Sequence, residues 1–163
     1  MVFEGKTYKV TAIGKKARPQ TGGSLHAIHI PQSITSIGEY AFYELDSLVA
    51  ISVDKGNRVY DSRKNCNAII KSKTNELVLG CQNTIIPKAV TSIGYSAFYH
   101  CVNLTSINIP NSVTSIGDAA FHLCNSLTDI NIAEDHPIFK IQKDGETIRI
   151  IDKRTGSIVA IVP

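Results

Sequence analysis

The chain has 163 residues, 43% of them hydrophobic and 19% charged, with a formal net charge of +3. That apolar fraction excludes a disordered chain, and the small charge excludes a nucleic-acid surface built on bulk electrostatics. No stretch approaches the ~18 apolar residues of a membrane-spanning helix, and residues 1–5 show neither half of a secretory signal.

Residues 1–9 are predicted to form a cap. Phe3 and Tyr8 flank Glu4-Gly5-Lys6-Thr7, a hairpin-turn sequence, and a stack of repeats needs its open edge covered. The pentapeptide Val10-Thr11-Ala12-Ile13-Gly14 follows and opens an internal repeat. It returns as Ile34-Thr35-Ser36-Ile37-Gly38, Val90-Thr91-Ser92-Ile93-Gly94 and Val113-Thr114-Ser115-Ile116-Gly117. Behind the last three come Ala41-Phe42, Ala97-Phe98 and Ala120-Phe121, a spacing suited to one helical turn with the phenylalanine inward. The first copy is degenerate. Arg18 stands at the phenylalanine position, and Pro19-Gln20-Thr21-Gly22-Gly23 is expected to form an irregular, mobile turn.

A second module reads Leu25-x-x-Ile28-x-Ile30, Leu48-x-x-Ile51-x-Val53, Leu104-x-x-Ile107-x-Ile109 and Leu127-x-x-Ile130-x-Ile132. Its last three positions alternate with period two, which predicts a short strand with one buried face. Such a coil hides its apolar edge only by stacking on its neighbour.

A longer period lies over the short one. The hairpin-like stretch from Ala68 to Val78 has a counterpart from Arg149 to Val159, and Asn57-x-x-Tyr60 is matched by His136-x-x-Phe139. Each unit is expected to hold two coils and then a two-stranded excursion. Asn75 and Gly156 sit where the turns need a positive φ. The expected architecture is a mainly β solenoid with short helical turns, about four 23-residue coils interrupted by two β-hairpin units. It forms one domain over 1–163, made of the cap (1–9), a first unit (10–81) and a second (82–161).

The string Ile-Pro-x-Ser-Val-Thr-Ser-Ile-Gly-x-x-Ala-Phe-x-x-Cys-x-x-Leu-x-x-Ile, carried by residues 109–130, resembles the Treponema-type leucine-rich repeat of BspA-like bacterial surface proteins. The resemblance covers nearly the whole chain. It implies a leucine-rich-repeat solenoid, a bacterial and often Bacteroides-like origin, a secreted or surface-attached parent, and adhesive binding to host proteins. The chain departs from the pattern at Arg18, and at Thr21 and Leu45 where the repeat has cysteine.

Candidate chemistry is sparse. Cys101 and Cys124 share one repeat position and read as small buried hydrophobes, as Leu45 does. Centring the hairpin between Lys73 and Thr74 sets Ala68 opposite Leu79, Ile70 opposite Leu77 and Cys66 opposite Cys81. A disulfide there is geometrically open, but the counterpart unit has no cysteine, so reduced thiols are the expected state. His26, His29, His100, His122 and His136 show no metal-ligand spacing, and no cofactor is expected. Serines and threonines recur at pentapeptide positions, as structural residues do, and no nucleophile motif is present, so no enzyme is expected. Basic residues crowd the N-terminus and the hairpin units, while residues 89–139 contain neither lysine nor arginine.

A partner surface is expected on the outward positions of the Leu-x-x-Ile-x-Ile strands. There Ala27, His29, Ser52, Ser106, Asn108, Asp129 and Asn131 should form one flat polar ladder. Tyr40, Tyr43, Tyr95 and Tyr99 are alternative anchors on the turn side. The sequence therefore reads as a non-enzymatic protein-binding or adhesion module of a cell-surface or secreted bacterial protein, meeting host proteins, extracellular-matrix proteins among them, or glycans. A structural spacer and an accessory module of a glycan-processing enzyme are the alternatives. Neither nucleic acid nor membrane insertion by this chain is expected.

Overall fold

The computed structural model describes residues 2–3, 6–7, 9–17, 25–42 and 44–162. The irregular turn expected at Pro19–Gly23 and the tyrosine at position 43 lie outside the described residues. At the N-terminus β1 (Val2–Phe3) pairs antiparallel with β2 (Lys6–Thr7). The first coil carries β3 (Ala12–Ile13) and β4 (Ala27–Ile30), and the second β5 (Ser36–Ile37) and β6 (Ala50–Val53). An antiparallel meander follows: β7 (Tyr60–Asp61), a 3-10 turn (Arg63–Asn65), β8 (Ala68–Lys71) and β9 (Glu76–Gly80). Two further coils hold β10 (Ser92–Ile93), β11 (Ser106–Ile109), β12 (Ser115–Ile116) and β13 (Asp129–Ile132). A second meander, β14 (Phe139–Asp144), β15 (Thr147–Asp152) and β16 (Ile158–Val162), closes the chain.

The repeats stack in register. β4 pairs parallel with β6, Ile28 opposite Ile51, and β11 with β13, Ile107 opposite Ile130. Pentapeptide strands do the same, β3 with β5 and β10 with β12. Ile28, Ile51, Ile107 and Ile130 are all buried, so the period-two alternation holds. The recurring threonine has a structural job: the Thr35, Thr91 and Thr114 hydroxyls each donate to a carbonyl of the preceding rung, at 3.3, 3.1 and 3.2 Å.

In the third and fourth coils the segment that begins with Gly-x-x-Ala-Phe turns through three successive tight turns. In the third coil Ala97 N–H donates to Gly94 O, Tyr99 N–H to Ser96 O and Cys101 N–H to Phe98 O. Regular helix does not propagate, because alternate donors are taken by the next coil: Ser96 to Asp118 O, Phe98 to Ala120 O and His100 to His122 O. Turning the corner while serving that ladder puts two non-glycine residues per coil in the left-handed region. They are Tyr40 and Glu44 (φ 55° and 55°), Ser96 and His100 (52° and 59°), and Ala119 and Leu123 (55° and 60°).

The meanders differ from the two-stranded excursion expected. A third strand, led by Tyr60 or Phe139, precedes each hairpin, because the segment after the coil has an antiparallel neighbour to pair with. The first hairpin is also a rung of the solenoid itself: β9 pairs parallel with β10, Glu76 opposite Ser92 and Leu77 opposite Ile93. Its turn residue Asn75 has φ 56°, and Gly156 in the second meander has φ 74°, as their positions required. Ile70 lies opposite Leu77, but a bulge between Ile69 and Ile70 moves Ala68 from Leu79 to Gly80.

That bulge decides which way the hairpin faces. Ile69 and Cys81 join a core with Ile28, Ile30, Leu48 and Ile51, while Cys66, Ala68, Ile70 and Leu77 join a second core with Phe98, Ile107 and Phe121. The hairpin is a partition buried on both faces, which is why its sequence is a continuous apolar run.

His136 shows how one unit substitutes for the other. In the first unit Asn57 Oδ1 accepts from Val59 and Tyr60 N–H at 2.9 and 2.8 Å, and its Nδ2 donates to Pro31 O at 2.9 Å. His136 reproduces this in the second: Nδ1 accepts from Ile138 and Phe139 N–H at 3.2 and 3.0 Å, and Nε2 faces Pro110 O at 3.3 Å. The ring is buried and must be neutral, with its proton on Nε2. Burial lowers its pKa, so the unfolded chain takes up a proton first as pH falls. The contribution to stability is full above the unfolded value of about 6.5 and declines below it. His136→Asn is therefore expected to flatten the acid limb of a melting-temperature profile with little loss at neutral pH. An unchanged acid limb would contradict this.

Candidate functional site

The outward strand positions are where alternation puts them. Ala27, His29, Ser52, Ser106, Asn108, Asp129 and Asn131 are all exposed. His29 pairs across to Ser52, with Nδ1 and Oγ 3.0 Å apart, and Asn131 Nδ2 donates to Asp129 Oδ2 at 3.1 Å. The four strands do not form one ladder. β4–β6 and β11–β13 are separate two-stranded sheets, because the meander rung intervenes and makes no strand of its own on this side.

What fills that rung is Thr84-Ile85-Ile86-Pro87, a shortened version of the Leu-x-x-Ile-x-Ile-Pro segment. Pro87 O accepts from Val90 N–H as Pro31 O does from Ile34 and Pro110 O from Val113, and Ile86 is buried like Ile30 and Ile109. Ile85 therefore takes the outward position of His29 and Asn108, and it is 75% exposed. Its N–H donates to Cys66 O, and nearby Asn83 Nδ2 donates to Val49 O, just before β6. Sequence reading passed over Ile85 because three residues are missing from this rung. The signal was the Ile-Pro pair, shared with Ile30-Pro31 and Ile109-Pro110. An exposed apolar side chain thus stands between two strand pairs whose outward residues are small or polar.

On the turn side Tyr40 from the second coil meets Tyr95 and Tyr99 from the third, with ring centroids 5.6 and 6.1 Å apart and planes nearly perpendicular. Beside them His100 Nδ1 lies 2.6 Å from Asp46 Oδ1, and Asn103 Nδ2 donates to Asp46 O at 3.0 Å. The corners of these two coils thus bind each other directly across the meander rung.

All four cysteines are free thiols. Cys66 and Cys81 face different cores, which separates the pair that a bulge-free register sets opposite one another. Burial pushes the Cys124 thiol up to about 12 and Cys101 upward also, and Cys124 Sγ donates to Phe98 O at 3.0 Å. Thiols held this firmly in the protonated form pack as hydrophobes. Among the described residues no group of three or more His, Cys, Asp or Glu side chains is placed to hold a metal ion, and no helix is long and apolar enough to cross a membrane.

The family model for the BspA type leucine rich repeat region matches residues 11–73 and 68–144, in 6 copies. Among solved structures, a leucine rich cell surface protein of Faecalibacterium prausnitzii is 34% identical over 76% of this chain and 33% of its own, with a TM-score of 0.60. The pneumococcal vaccine antigen PcpA is 19% identical over 76% of this chain and 31% of its own, with a TM-score of 0.63, a likeness of fold. The chain thus spans about a third of the length of either protein. No curated protein sequence matches it.

Proposed function

The chain belongs to the BspA-type leucine-rich repeat family, and we propose that it is a non-enzymatic protein-binding module of a bacterial surface or secreted protein, with adhesion to host proteins as its role. The module acts as one domain over residues 1–163, its units at 10–81 and 82–161 behind a cap at 1–9. The observation that carries the reading is the outward strand face. It is polar at His29, Ser52, Asn108 and Asn131, all exposed, with one large apolar residue, Ile85, exposed on the rung between them. An exposed isoleucine contributes little to the fold, whereas a central apolar side chain ringed by small polar ones is how protein interfaces concentrate their affinity.

The test is retention on immobilised extracellular-matrix proteins. Ile85→Lys is expected to weaken binding at least about tenfold while leaving stability within roughly 0.5 kcal/mol, because the site is exposed. The triple variant His29→Lys, Asn108→Lys, Asn131→Lys should weaken it further. If the unaltered chain is not retained at micromolar concentration, the module is a spacer within its parent protein. If it is retained equally by Ile85→Lys and the triple variant, the strand face is not the contact.

A further inference from the structure

The first meander supplies a rung without a corner. β9 continues as strand through Val78 and Leu79 to Gly80, where the coils before and after it fold into Gly-x-x-Ala-Phe turns. Those two turns, at 38–42 and 94–98, face each other over the gap. They leave a cleft of about 310 Å³ whose apolar lining includes Ile37, Phe42, Val78 and Leu79. This is the low end of the range for small-ligand sites, roughly 300–1,000 Å³.

Three features give the cleft a chemical character. The Tyr40 and Tyr95 hydroxyls hydrogen-bond across it, and Tyr99 lines the same side as Tyr95. Its two carboxylates are each matched by a lysine: Glu76 by Lys71 at 2.8 Å and Glu39 by Lys15 at 2.7 Å. Ser96 lines the cleft beside Tyr95, and its side chain hydrogen-bonds the Tyr95 hydroxyl. These residues are not demanded by the repeat. The matching positions of the second unit are Ala119 for Tyr40 and Ser157 for Glu76. The equivalent hollow there, between residues 118–122 and 158–161, holds no tyrosine.

We propose that this cleft binds one neutral sugar residue. A sugar ring has apolar C–H faces, which pack on tyrosine rings, and an equatorial rim of hydroxyls that both donate and accept. Carboxylate–ammonium pairs and the tyrosine hydroxyls meet such a rim with both kinds of group. A cation would compete with Lys15 and Lys71 for the carboxylates, and an anion would meet those carboxylates directly. The site lies on the turn side, apart from the strand face, so either can fail without the other.

The chain has no tryptophan and six tyrosines, so its intrinsic fluorescence reports on the cleft. Titration with glucose, galactose, mannose and N-acetylglucosamine is expected to give a saturable change for at least one sugar. N-acetyl-lysine amide and glutarate serve as the cationic and anionic probes and should give none. Tyr95 is 52% exposed, so Tyr95→Ala should fold, and it is expected to raise the dissociation constant at least about tenfold. Glu76→Gln should also weaken binding, and Ile85→Lys should leave it unchanged. Saturation by none of the four sugars overturns the proposal and leaves the tyrosines as a latch between coils. So does stronger binding of either charged probe, or unaltered affinity in Tyr95→Ala with an unaltered melting temperature.

Discussion

Phe98→Ala is expected to destabilise the protein by about 3–5 kcal/mol, the range for removing a fully buried aromatic ring. Phe98 is 0% exposed, and its ring stacks on Phe121 with centroids 5.3 Å apart and planes inclined by 16°. It also occupies space that the preceding rung leaves empty, since β9 brings no phenylalanine of its own. The cavity cannot collapse easily: Phe98 N–H is bonded to Ala120 O, and Phe98 O accepts from Cys124 Sγ, so the backbone is held from the far side. For a chain of this size the loss corresponds to a melting-temperature drop of about 10 °C. A drop of under about 3 °C would mean that the ring does not bridge the two rungs.

Gly80→Ala should be nearly as damaging, for the opposite reason. A Cβ at Gly80 would lie 2.1 Å from Phe98 Cε1 and 2.5 Å from Cζ, closer than any real contact. Gly80 N–H is meanwhile fixed to Ala97 O at 2.8 Å, so the backbone cannot back away. The ring must leave its pocket or the rungs must part, at a cost of about 1–3 kcal/mol or more. The two substitutions are coupled. In the double variant the methyl group enters the hole that the missing ring leaves, so the combined loss should fall short of the sum by about 0.5–3 kcal/mol. Urea titration of the four proteins measures this, and strict additivity would show that Gly80 and Phe98 do not meet.

The placement of Gly80 against Phe98 marks where local pattern stops being informative. Ile107 opposite Ile130 could be read from the repeat, because equal spacing puts equal residues on neighbouring rungs. The bulge at Ile69 and Ile70 could not. It depends on which core each face of the hairpin meets, and it turns Cys66 and Cys81 away from each other. Ser96 and His100 give no local sign of a left-handed backbone. They adopt it because the neighbouring coil claims the alternate N–H groups of the corner. Tyr40, Tyr95 and Tyr99 could be placed on the turn side from the sequence, yet nothing in their spacing shows that Tyr40 and Tyr95, far apart in the chain, meet over a missing corner.

Periodicity alone determined the coil, its buried isoleucines and the positive-φ turns at Asn75 and Gly156, since each follows from residue type at a fixed interval, while the resemblance of the motif string pointed to the family. Tertiary structure decided that the first hairpin becomes a rung and divides the interior into two cores. It also decided that the strand face is split around Ile85 and that a cleft opens where a corner is lacking. The physical reason is that apolar alternation specifies which side chains must be hidden. What hides them, and what is left uncovered when a rung is three residues short, depends on backbone hydrogen bonds between segments distant in sequence.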